Sequence, residues 1–178
     1  ELTFKVTKEN ITLFSVSSEM LDNNGKNVGY LSVSIFGQKT YSQFKDALTK
    51  LEKQDMDSLI IDLRGNTGGY LSTVTNMLEE FIDKGNVIYQ IQSSSGVKQY
   101  KTVKASDKKY KIVVLIDGGS ASASEIMSAA MKEVYGATLV GQTTYGKGTV
   151  QTTKDLSNGS MIKYTIEKWL TPSGKNID

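Results

Sequence analysis

The chain has 178 residues, 38% hydrophobic and 22% charged with a formal net charge of +2, a composition suited to one domain with a real core. It contains no histidine and no cysteine, which excludes a Ser/His/Asp triad, a thiolate nucleophile, a His or Cys metal site and a disulfide framework. Dispersed lysines and a single arginine form no basic stripe for nucleic acid, and no aliphatic run approaches the length of a bilayer span.

Residues 2–6 and 11–16 read as short strands belonging to something upstream. From about Gly29 strand-like and helix-like segments alternate, which predicts an α/β layered domain. Alternating β-formers over 29–36 predict a strand. Residues 40–54 predict an amphipathic helix, with Phe44, Leu48 and Leu51 on one face and Thr40 and Gln43 at capping-box spacing. The apolar run 58–63 predicts a buried strand leading into a glycine-rich turn over 65–69. A helix is expected over 71–83, turning Val74, Met77, Leu78, Phe81 and Ile82 inward. Strands over 87–92 and 98–103 flank a hairpin turn at 93–96. Another buried strand over 111–116 runs through small residues into a helix ending near Tyr135. Strands over 138–140, 149–153 and 161–169 complete the pattern, the last two joined across Asn158-Gly159.

Three segments following strand ends, where α/β sheets present their sites, have chemical potential. The first is Asp62-Leu63-Arg64-Gly65-Asn66-Thr67-Gly68-Gly69. Its glycines can turn backbone N–H groups toward an anion or oxyanion, although spacing alone favours a tight strand-to-helix turn with Arg64 bridging neighbouring carbonyls or carboxylates. A phosphate loop is disfavoured, because the Gly-Lys-Ser/Thr ending is absent.

The second segment is Gly118-Gly119-Ser120-Ala121-Ser122-Ala123-Ser124-Glu125. A serine at a strand-to-helix turn lies where free N–H groups favour developing negative charge. Ser122 and Glu125 also have capping-box spacing, so a plain N-cap is the competing reading, and nothing local chooses among the three hydroxyls. The third is Tyr145-Gly146-Lys147-Gly148-Thr149-Val150-Gln151. Lys147 reads either as a surface lysine or as an inward-pointing general base, since desolvation disfavours an ammonium. Gln151 falls on the strand face that would orient its amine.

Together the three segments, in this order and with Ser122 and Lys147 25 positions apart, resemble the carboxyl-terminal processing (tail-specific) proteases, which are Ser/Lys peptidases. The resemblance runs from about Ile11 to Pro172 and includes Ser17-Ser18-Glu19-Met20-Leu21 and Lys168-Trp169-Leu170-Thr171-Pro172. It implies an α/β fold, a ClpP/crotonase-like spiral β/α core with mixed sheet and packed helices. It also implies Ser122 as nucleophile, Lys147 as general base and Gln151 as the residue orienting that lysine. The oxyanion donors it implies are the backbone N–H groups of Ala123 and Gly68, with Gly69 a near-equal candidate. No metal or other cofactor is implied.

The same resemblance implies protein or peptide C-termini as substrates, no nucleic-acid partner, a bacterial extracytoplasmic location and a peptide-binding PDZ domain upstream. Residues 1–8 are read as the last strand of that domain and 9–178 as the protease core. A membrane tether outside this chain and homo-oligomerisation of the full-length protein stand as open expectations. Two other readings compete: a noncatalytic peptide- or ligand-binding module on the same fold, and acyl-CoA chemistry on a related spiral fold, where a Ser/Lys pair has no evident use.

Overall fold

The computed structural model describes residues 2–5 and 13–177. The chain opens into a hairpin of β1 (Val16–Asn23) and β2 (Lys26–Val33), paired antiparallel in full register. This hairpin departs from the sequence expectation, which placed no strand over 17–23. Its cause is Asn24-Gly25, with φ of 54° and 80°: two successive left-handed residues make the tight turn whose twist suits two right-twisted strands. Of the strand expected over 11–16, residues 11 and 12 lie outside the described residues, 13–15 are irregular and Val16 belongs to β1. Of the expected PDZ strand, residues 2–5 are irregular and exposed, whereas 1 and 6–8 lie outside the described residues.

Helix α1 (Thr40–Glu52) buries Phe44, Leu48 and Leu51, as its periodicity predicts. Its expected capping box is replaced: Lys39 is the N-cap, and Gln43 Oε1 accepts the Ser15 N–H at 2.8 Å. The segment before β1 is a tertiary partner that competes with the local one. Strand β3 (Ser58–Asp62) leads through the glycine loop into α2 (Leu71–Leu78). This helix ends earlier than the expected 83, because bonds from Glu80 N to Met77 O and Phe81 N to Leu78 O tighten its last turn. Phe81 and Ile82 are nonetheless buried.

Strands β4 (Val87–Ser93) and β5 (Gly96–Lys101) form the expected hairpin. Strand β6 (Lys111–Ile116) feeds α3 (Ala123–Ala130), which continues as a π-helical turn over Met131–Tyr135 and stops at left-handed Gly136. The chain finishes with β7 (Thr138–Gly141), β8 (Thr149–Asp155) and β9 (Met161–Leu170).

Two sheets result. One is mixed, with order β1-β2-β3-β6-β7, parallel from β2 onward; the other is antiparallel, with order β5-β4-β9-β8. Leu31, Leu59, Ile61, Ile112 and Val114 of the mixed sheet join Phe44 and Leu48 of α1, Met77 of α2 and Met127 of α3 in one core. This is the α/β arrangement of mixed sheet and packed helices expected of the spiral core. The carboxyl ends of the adjacent parallel strands β3 and β6 deliver the glycine loop and the serine turn side by side.

Candidate active site

The glycine loop is shaped by polar groups that have no water to fall back on. Asn66 is fully buried; its Nδ2 donates to Val33 O at 2.8 Å, and its Oδ1 accepts the Gly68 N–H at 2.9 Å. Its main-chain oxygen accepts the Ala121 N–H and the Ser124 hydroxyl, at 3.0 and 2.7 Å. One asparagine thus ties the end of β2, the glycine loop and the serine turn together. Asp117 Oδ1 adds bonds from the N–H groups of Gly65 and Gly119 at 2.8 and 2.9 Å. The Gly65 bond, with those of Gly119 and Ser120, outweighs desolvation and holds the Asp117 carboxyl below its ordinary value.

Arg64 follows the structural reading of its segment. Its Nε and Nη2 both engage the Asp62 carboxylate, and the Tyr30 hydroxyl donates to the same group at 2.6 Å. Burial pushes the Asp62 carboxyl up, but these bonds prevail and keep it low.

The fold chooses among the three serines. Ser120 and Ser124 are fully buried, and their hydroxyls are spent on main-chain oxygens of Leu63 and Asn66. Ser122 alone faces a cavity. It sits at the N-cap position of α3, as the competing reading expects, but with φ 55° and ψ −113° rather than the extended backbone usual for a cap. Such a conformation costs a non-glycine residue about 1–3 kcal/mol and persists only where its surroundings impose it. Gly68 is part of that surrounding: a Cβ there would lie 2.9 Å from Ser122 Cβ and 3.1 Å from Ala123 N.

Glu125, 2% exposed, links the serine turn to the lysine loop. Its Oε2 accepts the N–H groups of Ser122 at 2.7 Å and Lys147 at 2.9 Å, while Oε1 accepts that of Gly146 at 2.6 Å. Trp169 grips the loop from the other side, its Nε1 donating to Lys147 O at 2.6 Å. The Lys147 backbone is therefore fixed beside Ser122. Its side chain is exposed, as the surface reading has it, and also lines the cavity that Ser122 faces. Gln151, on β8, is exposed too. Ser122, Lys147 and Gln151 line one cavity of 290 Å³, walled by Leu71, Tyr89, Ile91, Ile126 and Trp169. Among the described residues no hydrogen bond joins Ser122 Oγ to Lys147 Nζ or Lys147 to Gln151.

The oxyanion candidates separate on geometry. The Gly68 N–H is already taken by Asn66 Oδ1, a correction to the expectation that it faces the oxyanion. Gly69 is bridged to Phe36 through its neighbours, with Phe36 N donating to Gly68 O and Tyr70 N to Phe36 O. Its own N–H is therefore not bonded to Phe36, and Gly69 lines the Ser122 cavity. Ala123, the first residue of α3, has an N–H with no intrahelical acceptor. No group of three or more acidic side chains gathers as a metal site among the described residues.

Glu125, Asn66, Asp117 and Trp169 were not assigned these roles from sequence. Glu125 stood out only through its capping spacing, and the lone Trp169 only through its place in the terminal motif.

Residues 27–178 match the model of peptidase family S41. The chain is 41% identical over 178 residues to the carboxy-terminal processing protease CtpB of Bacillus subtilis (strain 168), covering 99% of this chain and 37% of that protein. It is 40% identical over 180 residues to CtpA of the same organism, again covering 99% and 37%. The solved photosystem II D1 C-terminal processing protease superposes with a TM-score of 0.86 at 30% identity, over 94% of this chain and 46% of that one. The chain thus spans little more than a third of the curated relatives it matches.

Proposed function

The chain belongs to peptidase family S41, and from that premise we propose that it is the core of a serine endopeptidase working through Ser122 and Lys147 on protein segments near their C-termini. One observation carries the reading: of three clustered serines Ser120 and Ser124 donate their hydroxyls to main-chain oxygens while Ser122 lines the cavity, and the same Glu125 carboxylate that holds the Ser122 N–H also holds that of Lys147.

In the reaction, the Lys147 amine takes the Ser122 hydroxyl proton as Oγ attacks the scissile carbonyl. The tetrahedral oxyanion is received by the N–H groups of Ala123 and Gly69. Lys147 then protonates the leaving amine, and a water deprotonated by the same amine clears the acyl-enzyme. The proton transfer requires Lys147 Nζ within hydrogen-bond reach of Ser122 Oγ, an approach its four-carbon stem permits. Gln151, beside it on β8, steers the amine without adding charge. The apolar cavity suits the side chain of the residue donating the scissile carbonyl. β8 is the outer strand of its sheet, so its free edge can receive an extended substrate as an added strand.

Upstream PDZ assistance, an extracytoplasmic location, a membrane tether outside this chain and self-association belong to the same proposal, on the strength of the family resemblance. Among the described residues no helix is long and apolar enough to cross a membrane. Peptide cleavage and labelling by a fluorophosphonate, compared between the wild type, Ser122→Ala and Lys147→Ala, test the dyad. Loss of both signals in both variants is expected. Proteolysis surviving either change overturns the assignment, and peptide binding without acylation of the wild type supports the noncatalytic module instead.

A further inference from the structure

The cavity beside Ser122 contains a second lysine that the mechanism above does not use. Lys163 of β9 lines the same 290 Å³ space as Ser122, Lys147 and Gln151. Among the described residues no carboxylate lies within ion-pair distance of it, whereas Lys104 and Lys108 are both paired. The walls below it are apolar: Leu71, Tyr89, Ile91, Ile126 and Trp169. A cation held over an apolar cleft without an internal partner is electrostatically complementary to an acidic ligand group.

The register of the β8–β9 hairpin says where along a bound peptide that group lies. Gln151 stands opposite Thr165, and Thr153 stands opposite Lys163. Lys163 is therefore one two-residue repeat, about 7 Å, along the hairpin from Gln151. An extended peptide presents side chains to one face with the same repeat. For a peptide added antiparallel to β8, whose chain then runs toward Ser122, the residue donating the scissile carbonyl and the residue two positions earlier both face the cavity. The first meets the apolar walls, and the second reaches the level of Lys163.

Resting on the Ser122/Lys147 reading, we propose that Lys163 is a specificity-determining residue, selecting substrates with an acidic side chain two residues before the one that donates the scissile carbonyl. Lys163 lies on an exposed strand, so replacing it leaves the core untouched.

The test uses three peptides identical except for Glu, Gln or Lys at that position, with the full chain as wild type, Lys163→Gln and Lys163→Glu. The wild type is expected to cleave the Glu peptide about fivefold faster than the Gln peptide in kcat/KM, the scale of a rim-exposed ion pair. Lys163→Gln should level the series, and Lys163→Glu should invert it toward Lys. A merely structural role lowers all three rates together, and unchanged ratios across the three proteins overturn the proposal. Anisotropy of the labelled peptides on Ser122→Ala, with and without Lys163→Gln, separates the two readings. Lys163-dependent selection in binding, with no cleavage by the wild type, keeps the subsite and removes the protease. Cleavage with flat charge ratios keeps the protease and removes the subsite.

Discussion

Replacing Glu125 by glutamine changes one oxygen to an NH2 group without changing shape, and it strikes the joint between the two halves of the site. The carboxylate accepts three backbone N–H groups, from Ser122, Gly146 and Lys147, in a position only 2% exposed. An amide has one acceptor oxygen, so whichever way it turns, its NH2 faces at least one of these donors. The milder orientation sacrifices the Gly146 bond. Leaving that N–H buried and unpaired costs about 2 kcal/mol, and the two surviving bonds lose their charge assistance for about 1 kcal/mol more.

A total of about 3 kcal/mol is a large share of a domain's net stability. It corresponds to a fall of about 9 °C in melting temperature for a chain of this size. The catalytic loss should be larger than the stability loss suggests. Freed from Glu125, the loop carrying Lys147 can drift by about an ångström relative to Ser122, enough to lower kcat about 100-fold with little change in KM. Thermal unfolding followed by circular dichroism, together with peptide turnover and the rate of fluorophosphonate labelling well below the transition, measures both effects. A variant that melts with the wild type and turns over at the wild-type rate would refute the clamp.

Ser122→Gly should abolish acylation yet raise the melting temperature by about 3 °C, because glycine relieves the strain at φ 55° and returns only part of the gain as unfolded-chain entropy. A lower melting temperature would show that the serine backbone is not strained. Gly69→Ala puts a methyl 2.3 Å from Phe36 O at φ 143° and should destabilise by about 3 kcal/mol or more. Gly118→Ala, whose nearest contact is 3.9 Å away, should be close to neutral in the same denaturation experiment. Asp117 titrates below the ordinary aspartate value of 3.8, held down first by the Gly65 N–H. Its contribution is present above pH 3.8 and is lost as pH falls through its lower folded value, where the unfolded chain binds the extra proton. Asp117→Asn should flatten that part of the melting-temperature profile; an unchanged slope would place the proton elsewhere.

Much of the scaffold was legible from local pattern. The spacing of Phe44, Leu48 and Leu51 marked the buried face of α1, and the apolar runs at Ser58–Asp62 and Lys111–Ile116 marked the two central strands. These features depend on 3.6- and 2-residue periods, which a short window contains in full. The β1–β2 hairpin was legible in Asn24-Gly25 as well, but the polar strands around that turn hid it. Absence of histidine excluded the usual base for a serine nucleophile, and the order of the three motifs supplied the resemblance to Ser/Lys peptidases.

The choices within each motif depended on atoms far away in the chain. Ser120 and Ser124 are disqualified by carbonyls 57 and 58 residues distant. Only the fold spends the Gly68 N–H on Asn66 and bridges Gly69 to Phe36. Glu125 reads locally as a helix cap, and only the fold brings Gly146 and Lys147 to its second face. Residue type and spacing determined which chemical groups this protein has to offer. Tertiary structure decided which of them are free to react, because a hydroxyl or N–H is available only when no buried partner has already claimed it.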